Sequence, residues 1–364
     1  MGKVILPVSR FNFLEVNFMQ GKTLFSLFSA AALVFTLSAC KPEPKAIALA
    51  GKTMGTTYHI KYIENGEQKA GAEQAHKQID LILQDVNDKM STYIATSELS
   101  RFNQSRETHK AIEISADFGK VVAEAIRLNK LTEGALDVTV GPVVNLWGFG
   151  PERRTDKQPS AEEIAQRQAW VGIEKLKLVE NNGHYWLEKA VPELYVDLSS
   201  IAKGFGVDQV ADYLESINAQ NYMVEIGGEI RAKGQNSEGK PWQIAIEQPS
   251  FDGKQAVQQV IGLVDGAMAT SGDYRNYFEQ NGQRFSHEID PKTGYPIQHK
   301  LASITVFAPT SMTADGLSTG LFTLGEQKAL EVAEREQLPI FMIIKQDNGY
   351  RTEMSSALKQ MIGQ

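Results

Sequence analysis

Two hydrophobic periods alternate along the chain, and the switches between them mark its elements. Thr57–Ile63 alternates, with Tyr58, Ile60 and Tyr62 on one face, which predicts a strand. Ile79, Ile82, Leu83, Val86 and Met90 fall at helical spacing and predict an amphipathic helix over about 69–90. Phe118, Val121, Val122, Ala125 and Ile126 mark a second helix, opened at Ser115 or Asp117 and stopped at Gly134. Ser160-x-x-Glu163 is a capping box that opens a third. Leu176–Glu180, Asn182-Gly183 and His184–Glu188 form a hairpin signal. Leu194–Leu198 is expected as a strand, followed by a helix carrying Val207, Val210, Leu214 and Ile217. Strands are expected at Tyr222–Ile226, Trp242–Glu247, Val260–Val264 and Ser303–Phe307. Helices follow at about 313–323 and 326–335, ahead of a buried strand, Ile340–Lys345. Strands often follow strands, without the steady βαβ rhythm of a parallel sheet. The pattern is α+β, with mixed or antiparallel sheets and packed helices.

The first 50 residues follow a different logic. From Met19 a single Lys22 precedes an apolar stretch, Leu24 to Leu37, that ends in Leu37-Ser38-Ala39-Cys40. That is the layout of a secretory signal peptide, and the stretch is shorter than the ~20 residues needed to span a bilayer. The ending resembles a bacterial lipobox, so Cys40 is expected to be the lipidation point, anchoring the chain to the cell envelope on the periplasmic side. Lys41 rather than Asp follows it. Residues 1–39 are therefore a leader with Met19 as the expected start, 40–50 a lipidated tether containing Lys41-Pro-Glu-Pro-Lys45, and 51–364 the folded domain.

Composition narrows the function. The chain has 37 Lys and Arg against 44 Asp and Glu, a net charge of −7, with no basic run longer than two. Nucleic acid is not an expected partner, because phosphate backbones need a basic face. A single cysteine excludes an intrachain disulfide and any multi-cysteine metal site.

Several segments place Gly and small hydroxyl residues where a core needs neither. They are Thr53-Met54-Gly55-Thr56-Thr57, Gly134-Ala135-Leu136-Asp137 with Gly141-Pro142, Asp197-Leu-Ser-Ser200-Ile-Ala-Lys203-Gly204, Glu225-Ile-Gly227-Gly228-Glu229, His287-Glu-Ile289-Asp290-Pro-Lys-Thr-Gly294, and Ala314-Asp315-Gly-Leu-Ser318-Thr319. Such residues at loop-to-helix junctions offer N–H groups and hydroxyls to an anion, and Lys203 could add a positive charge. A simple helix cap by Ser199 or Ser200 explains part of this equally well. Asp315 and Thr319, four apart, share one helix face and could hold a hard cation, or could be no more than a helix start. His287 could equally be a hydrogen-bonded sheet residue. Tyr93 and Trp147 could stack on an aromatic ligand or simply pack.

Taken together and in order, these segments closely resemble the ApbE family of FAD:protein FMN transferases. Met90-Ser-Thr-Tyr93 and Ser97-Glu-Leu-Ser-Arg101-Phe-Asn add to the match, which runs from Met54 to about Gly325. The resemblance implies a T-fold-like architecture with the FAD site between two lobes. It implies Mg²⁺-dependent cleavage of the FAD pyrophosphate, transfer of FMN to a Thr or Ser hydroxyl of a target protein, and release of AMP. Carried over by motif, Met54, Tyr93, Ala135, Leu136, Asp137, Asp197, Lys203 and Ile289 would line the FAD site. Asp315 and Thr319 would hold the metal with the Ser200 main-chain carbonyl, and Ser318 would lie beside them. His287 would contact the pyrophosphate or take the hydroxyl proton, with Asp290 as the second candidate base and Asp315 as the catalytic metal ligand. Glu288 stands where family members more often carry an apolar residue. Expected partners are FAD, the membrane, and acceptor subunits of Na⁺-translocating NADH:quinone reductase or related electron-transfer complexes. FAD hydrolysis to FMN and AMP, and flavin binding without catalysis, are the competing readings.

Overall fold

The computed structural model describes residues 45–151, 158–248, 256–272, 277–280 and 283–363. The leader, Cys40 and the start of the tether lie outside the described residues. Lys45–Ala50, expected as the end of that tether, instead belong to β1 (Lys45–Thr53), which pairs antiparallel along its length with β2 (Thr56–Glu64). The ladder satisfies the backbone groups that face β2, and Ile47, buried opposite Tyr62, adds apolar contact.

The predicted stripe on α1 (Ala72–Met90) is the face it buries: Ala75, Ile79, Leu83, Val86 and Met90. After α2 (Glu98–Gln104) and β3 (Ile112–Ile114), Ser115 caps α3 (Ala116–Leu131) by accepting from Phe118 N–H. The short α4 (Gly141–Leu146) is followed by α5 (Ala161–Gln168), which opens with the predicted Ser160/Glu163 capping box. β4 (Leu176–Asn181) and β5 (His184–Lys189) make the predicted hairpin, and β3 adds a third strand to it. Then come α6 (Ala202–Ser216), β6 (Tyr222–Ile226), β7 (Glu229–Lys233), β8 (Trp242–Gln248), β9 (Ala256–Leu263), β10 (Asp265–Gly272), β11 (Tyr277–Gln280) and β12 (Gln283–Ser286). The chain closes with β13 (Leu301–Ala308), α7 (Ser311–Glu336), β14 (Ile340–Gln346), β15 (Gly349–Met354) and α8 (Ser356–Met361). The two helices expected after residue 311 both lie within α7 and meet at a kink at Gly325, whose φ of 76° is not helical.

Eight strands form one antiparallel sheet in the order β1-β2-β6-β7-β10-β13-β14-β15. Strand alternation gives it two apolar faces. On one, Tyr58, Ile60, Tyr222, Val224 and Ile226 meet Ile79 and Leu83 of α1 and Val207, Val210 and Leu214 of α6. Farther along the same face, Ile304, Val306, Ile340 and Met342 lie under Leu317, Leu321 and Phe322 of α7. The other face, with Ile63, Ile230, Met268, Phe307 and Phe341, is covered by Trp242, Ile244 and Ile246 of β8 and Ile261 and Leu263 of β9. The architecture is α+β and antiparallel, as the pattern predicts.

Leu194–Leu198 is not a strand. Its alternating Leu194, Val196 and Leu198 are fully buried, but only a lone bridge joins Tyr195 to Val140. Side chains replace the ladder. Val196 exchanges two 2.8 Å hydrogen bonds with the Asn103 amide, and the buried Lys189 ammonium donates to the carbonyls of Leu194, Pro192, Phe102 and Asn103 at 3.2–3.4 Å. Asp197 N–H donates to Val138 O at 2.7 Å. This segment leads directly into the Asp197–Lys203 motif.

Candidate active site

Helices α6 and α7 are fastened by each other's carboxylates. Asp208 of α6 accepts from the N–H groups of Ser311 and Met312 at the start of α7, both at 2.9 Å. In return, Asp315 Oδ2 of α7 accepts from Gly204 N–H in the first turn of α6 at 2.9 Å. Each anion meets N–H groups that a helix start leaves without partners. Neither Ser199 nor Ser200 caps α6; its N-cap is Ile201, which makes no side-chain cap. The cap comes instead from the neighbouring helix. Gly204 makes this approach possible, because a Cβ there would overlap the Ser311 carbonyl and lie 2.8 Å from Asp315 Cβ.

The contact places Lys203 between two buried carboxylates. Its Nζ lies 3.3 Å from Glu229 Oε1 and 3.5 Å from Asp315 Oδ1. Burial opposes the Lys203 charge, but Asp315 and Glu229 outweigh it and raise its pKa. Burial pushes the Glu229 carboxyl up to about 8, with Lys203 opposing and the Asp315 charge adding to the rise. Asp315 is also raised, by burial first, against the pull of Lys203 and the Gly204 N–H. Glu229 Oε2 is buried and has no hydrogen-bond partner. Glu229 follows the Gly-Gly turn, whose sequence signal is that of a turn alone. The missed clue is that Glu229, Arg231 and Lys233 alternate with Ile230 and Ala232, which join the opposite core, so this polar row faces the helices.

These residues line a cleft of about 1450 Å³. Met54, Tyr93, Ala135, Leu136, Asp137, Asp197, Ser200, Lys203, His287, Ile289, Asp315 and Thr319 all border it. Met54 and Gly55 form a two-residue β1–β2 turn with φ of 49° and 74°, a turn that requires positive φ at both positions. Tyr93 is 69% exposed, and its hydroxyl donates to Phe149 O at 3.4 Å. Ala135 and Leu136 are buried where they border the cleft. The Asp137 carboxylate accepts from Thr139 N–H and Oγ1 at 2.8 and 2.6 Å and from Ile173 N–H at 3.1 Å, while burial raises its pKa. Asp197 accepts from Ser199 N–H at 2.9 Å.

Ser318 lies beside Asp315 but not at the cleft surface. It is buried; its hydroxyl donates to Asp315 O at 2.9 Å and lies 2.9 Å from Ser271 Oγ. Ser271, on β10 and absent from the expected set, borders the cleft and also reaches Thr319 Oγ1 at 3.4 Å. Asp290 is likewise engaged elsewhere. Its carboxylate accepts from Lys292 N–H at 2.9 Å and Thr293 Oγ1 at 3.2 Å, holding the turn that carries Ile289. His287 Nε2 lies 3.2 Å from Glu288 Oε1, so Glu288 orients the imidazole, and its charge adds to the rise at Asp315.

Among the described residues, no group of three or more His, Cys, Asp or Glu is arranged to hold a metal. A cation here would need mixed oxygen donors, and Asp315, Thr319 and the Ser200 carbonyl supply that chemistry. Two buried carboxylates share one lysine there, and Glu229 therefore holds a proton up to about pH 8.

The sequence profile of the ApbE family matches residues 54–342. The chain is 67% identical over 340 residues to the FAD:protein FMN transferase of Haemophilus influenzae, covering 93% of this chain and 98% of that protein. It is 54% identical to the protein of the same name from Vibrio cholerae, covering 92% and 98%. Among solved structures, the flavin transferase ApbE of Vibrio cholerae superposes with a TM-score of 0.81, at 54% identity, covering 87% of this chain and 99% of that one. The apo flavinyl transferase ApbE of Pseudomonas stutzeri gives a TM-score of 0.80 at 38% identity, covering 88% and 98%.

Proposed function

The chain belongs to the ApbE family, and from that premise we propose that it is an FAD:protein FMN transferase that moves the FMN half of FAD onto a Thr or Ser hydroxyl of a target protein and releases AMP. The observation that carries this reading is Lys203 held between buried Asp315 and Glu229 on the wall of a cleft large enough for a dinucleotide. Two carboxylates share one lysine where an anionic pyrophosphate has to sit, so Glu229 keeps a proton up to about pH 8 that a cation could displace, and Glu229 Oε2 lacks any partner. Both facts fit a small hard cation. Mg²⁺ would be held by Asp315, Thr319 and the Ser200 carbonyl, and when bound it neutralises charge on the pyrophosphate.

The chain's own residues account for the rest. Met54, Tyr93, Ala135 and Leu136 form an apolar and aromatic wall that suits the flavin ring. Lys203 faces the phosphates from the first turn of α6. His287, oriented by Glu288, accepts the proton of the incoming hydroxyl. The hydroxyl oxygen bonds to the phosphorus of the FMN half, the bond to the AMP phosphate oxygen breaks, and AMP leaves. The acceptors are subunits of Na⁺-translocating NADH:quinone reductase or related electron-transfer complexes, and lipidated Cys40 holds the enzyme on the periplasmic face of the envelope. Radiolabelled fatty acid incorporated into the parent chain but not into Cys40→Ala supports the anchor; label persisting in the variant refutes it.

Purified protein, FAD and an acceptor subunit, with Mg²⁺ or with EDTA, test the transfer. Mg²⁺-dependent covalent flavin fluorescence on the acceptor is expected. AMP with free FMN alone would instead make water the acceptor, and no AMP would leave a flavin-binding protein.

A further inference from the structure

The β8–β9 hairpin turns its two faces to different surroundings. Trp242, Ile244, Ile246, Ile261 and Leu263 pack into the sheet core. On the other face, the register sets Ala245 opposite Val260 and Glu247 opposite Val257. Ala245 and Glu247 border the active-site cleft. Their neighbours across the ladder are open to solvent: Val257 is 60% exposed and Val260 48%, with Val264 at 48% just past the strand end. Single exposed apolar residues are ordinary, but three on one short segment beside a reaction cleft form a patch continuous with the site.

A protein acceptor must bring a hydroxyl into that cleft while the rest of its chain stays outside. Cross-strand neighbours lie ~5 Å apart, and an extended chain advances ~3.3 Å per residue. A polypeptide that leaves the cleft past Ala245 therefore passes over Val260, its partner across the ladder, and then over Val257. We infer that the outer face of β8–β9 is the docking surface for the acceptor polypeptide, which binds as an extended segment with apolar side chains flanking the target Thr or Ser. The inference rests on the proposed transfer to a protein hydroxyl. FAD has its own wall at Met54, Tyr93 and Leu136, so this surface serves the second substrate.

The test uses the full mature chain carrying Val257→Asp, Val260→Asp or both, with the flavin-accepting subunit of a Na⁺-translocating NADH:quinone reductase as probe. Covalent flavin is followed by in-gel fluorescence across a range of acceptor concentrations. FAD affinity is measured separately by fluorescence quenching. Exposing a valine's docking contact and adding a charge is expected to raise KM for the acceptor about tenfold per substitution, with FAD affinity and kcat at saturating acceptor within twofold of the parent. An unchanged KM for the acceptor overturns the inference. So does weaker FAD binding that accounts for the whole defect, which would assign the hairpin to the FAD site. A parent dimer that dissociates in the variants without a change in KM overturns it in favour of a contact between two copies. If the parent chain itself makes no covalent flavin, the transfer reading fails first, and that result is distinct from any of these.

Discussion

Replacing Asp315 with Asn separates the two duties of this carboxylate. Asp315 is 2% exposed, caps Gly204 N–H at 2.9 Å and shares Lys203 with Glu229. Losing one member of an isolated buried ion pair costs ~3–5 kcal/mol, but here Lys203 keeps Glu229, so no charge is stranded. An Asn oxygen can still accept from Gly204 N–H. Exchanging a charged for a neutral acceptor costs ~1 kcal/mol, and this is offset because Glu229 no longer competes with Asp315 for Lys203. Stability in EDTA should therefore stay within ~1 kcal/mol, seen as a melting shift of no more than ~3 °C. Metal binding should not survive the exchange, and loss of such an electrostatic contact should lower the transfer rate by at least ~10²–10³-fold. Thermal melting with and without Mg²⁺ reads both effects, because a cation bound only by the folded state raises Tm. The parent should gain stability with Mg²⁺ and Asp315→Asn should not. A variant that keeps the Mg²⁺-dependent rise in Tm at the same midpoint, or the parent rate, refutes the assignment of Asp315.

His287→Asn should keep a hydrogen-bond donor toward phosphate but lose the proton acceptor; kcat for transfer is expected to fall ~10²–10⁴-fold with FAD affinity nearly unchanged, and an equal loss in both would reduce His287 to a binding contact. Gly204→Ala should force α6 and α7 apart, with a loss of ~1–3 kcal/mol in chemical denaturation together with lost activity; wild-type stability would contradict the close approach. Glu229 sits at about 8 in the folded chain against an ordinary 4.5. Between those values the folded chain keeps a proton that the unfolded chain releases, so stability in EDTA should fall as pH rises from about 4.5 to 8, and Glu229→Gln should flatten that slope. An identical slope in the variant, measured by urea denaturation at several pH values, would assign the dependence to other groups.

Residues whose environment is local were legible in the sequence. The α1 stripe, the Ser115 cap, the Ser160/Glu163 box and the Asn182-Gly183 hairpin each depend on neighbours a few positions away. Leu194–Leu198 reads as a strand because its alternation is real, but its backbone partners are the Asn103 amide and the Val138 carbonyl, both far off in sequence, and the Lys189 ammonium, with no neighbouring strand. The strand at Lys45–Thr53 is hard to read in the sequence because it follows a charged, proline-containing stretch and is held by pairing with β2 and by burial of Ile47. The site followed the same rule. Residue types at helix junctions and tight turns pointed to Lys203, Asp315 and the Met54-Gly55 turn. Three facts exist only once α6, β7 and α7 have met: Glu229 is the second partner of Lys203, Ser318 lies behind the wall, and Asp315 caps α6.

The central claim is that FAD cleavage and attachment of flavin to a protein hydroxyl are one event in this cleft. Its most direct test is stoichiometry: purified mature chain, FAD, Mg²⁺ and an acceptor subunit are quenched over time, with AMP measured by chromatography and FMN on the acceptor by intact-protein mass. One AMP for each FMN attached to a Thr or Ser, neither forming when Mg²⁺ is chelated, is the expected result. AMP accumulating with free FMN while the acceptor mass stays unchanged would contradict it.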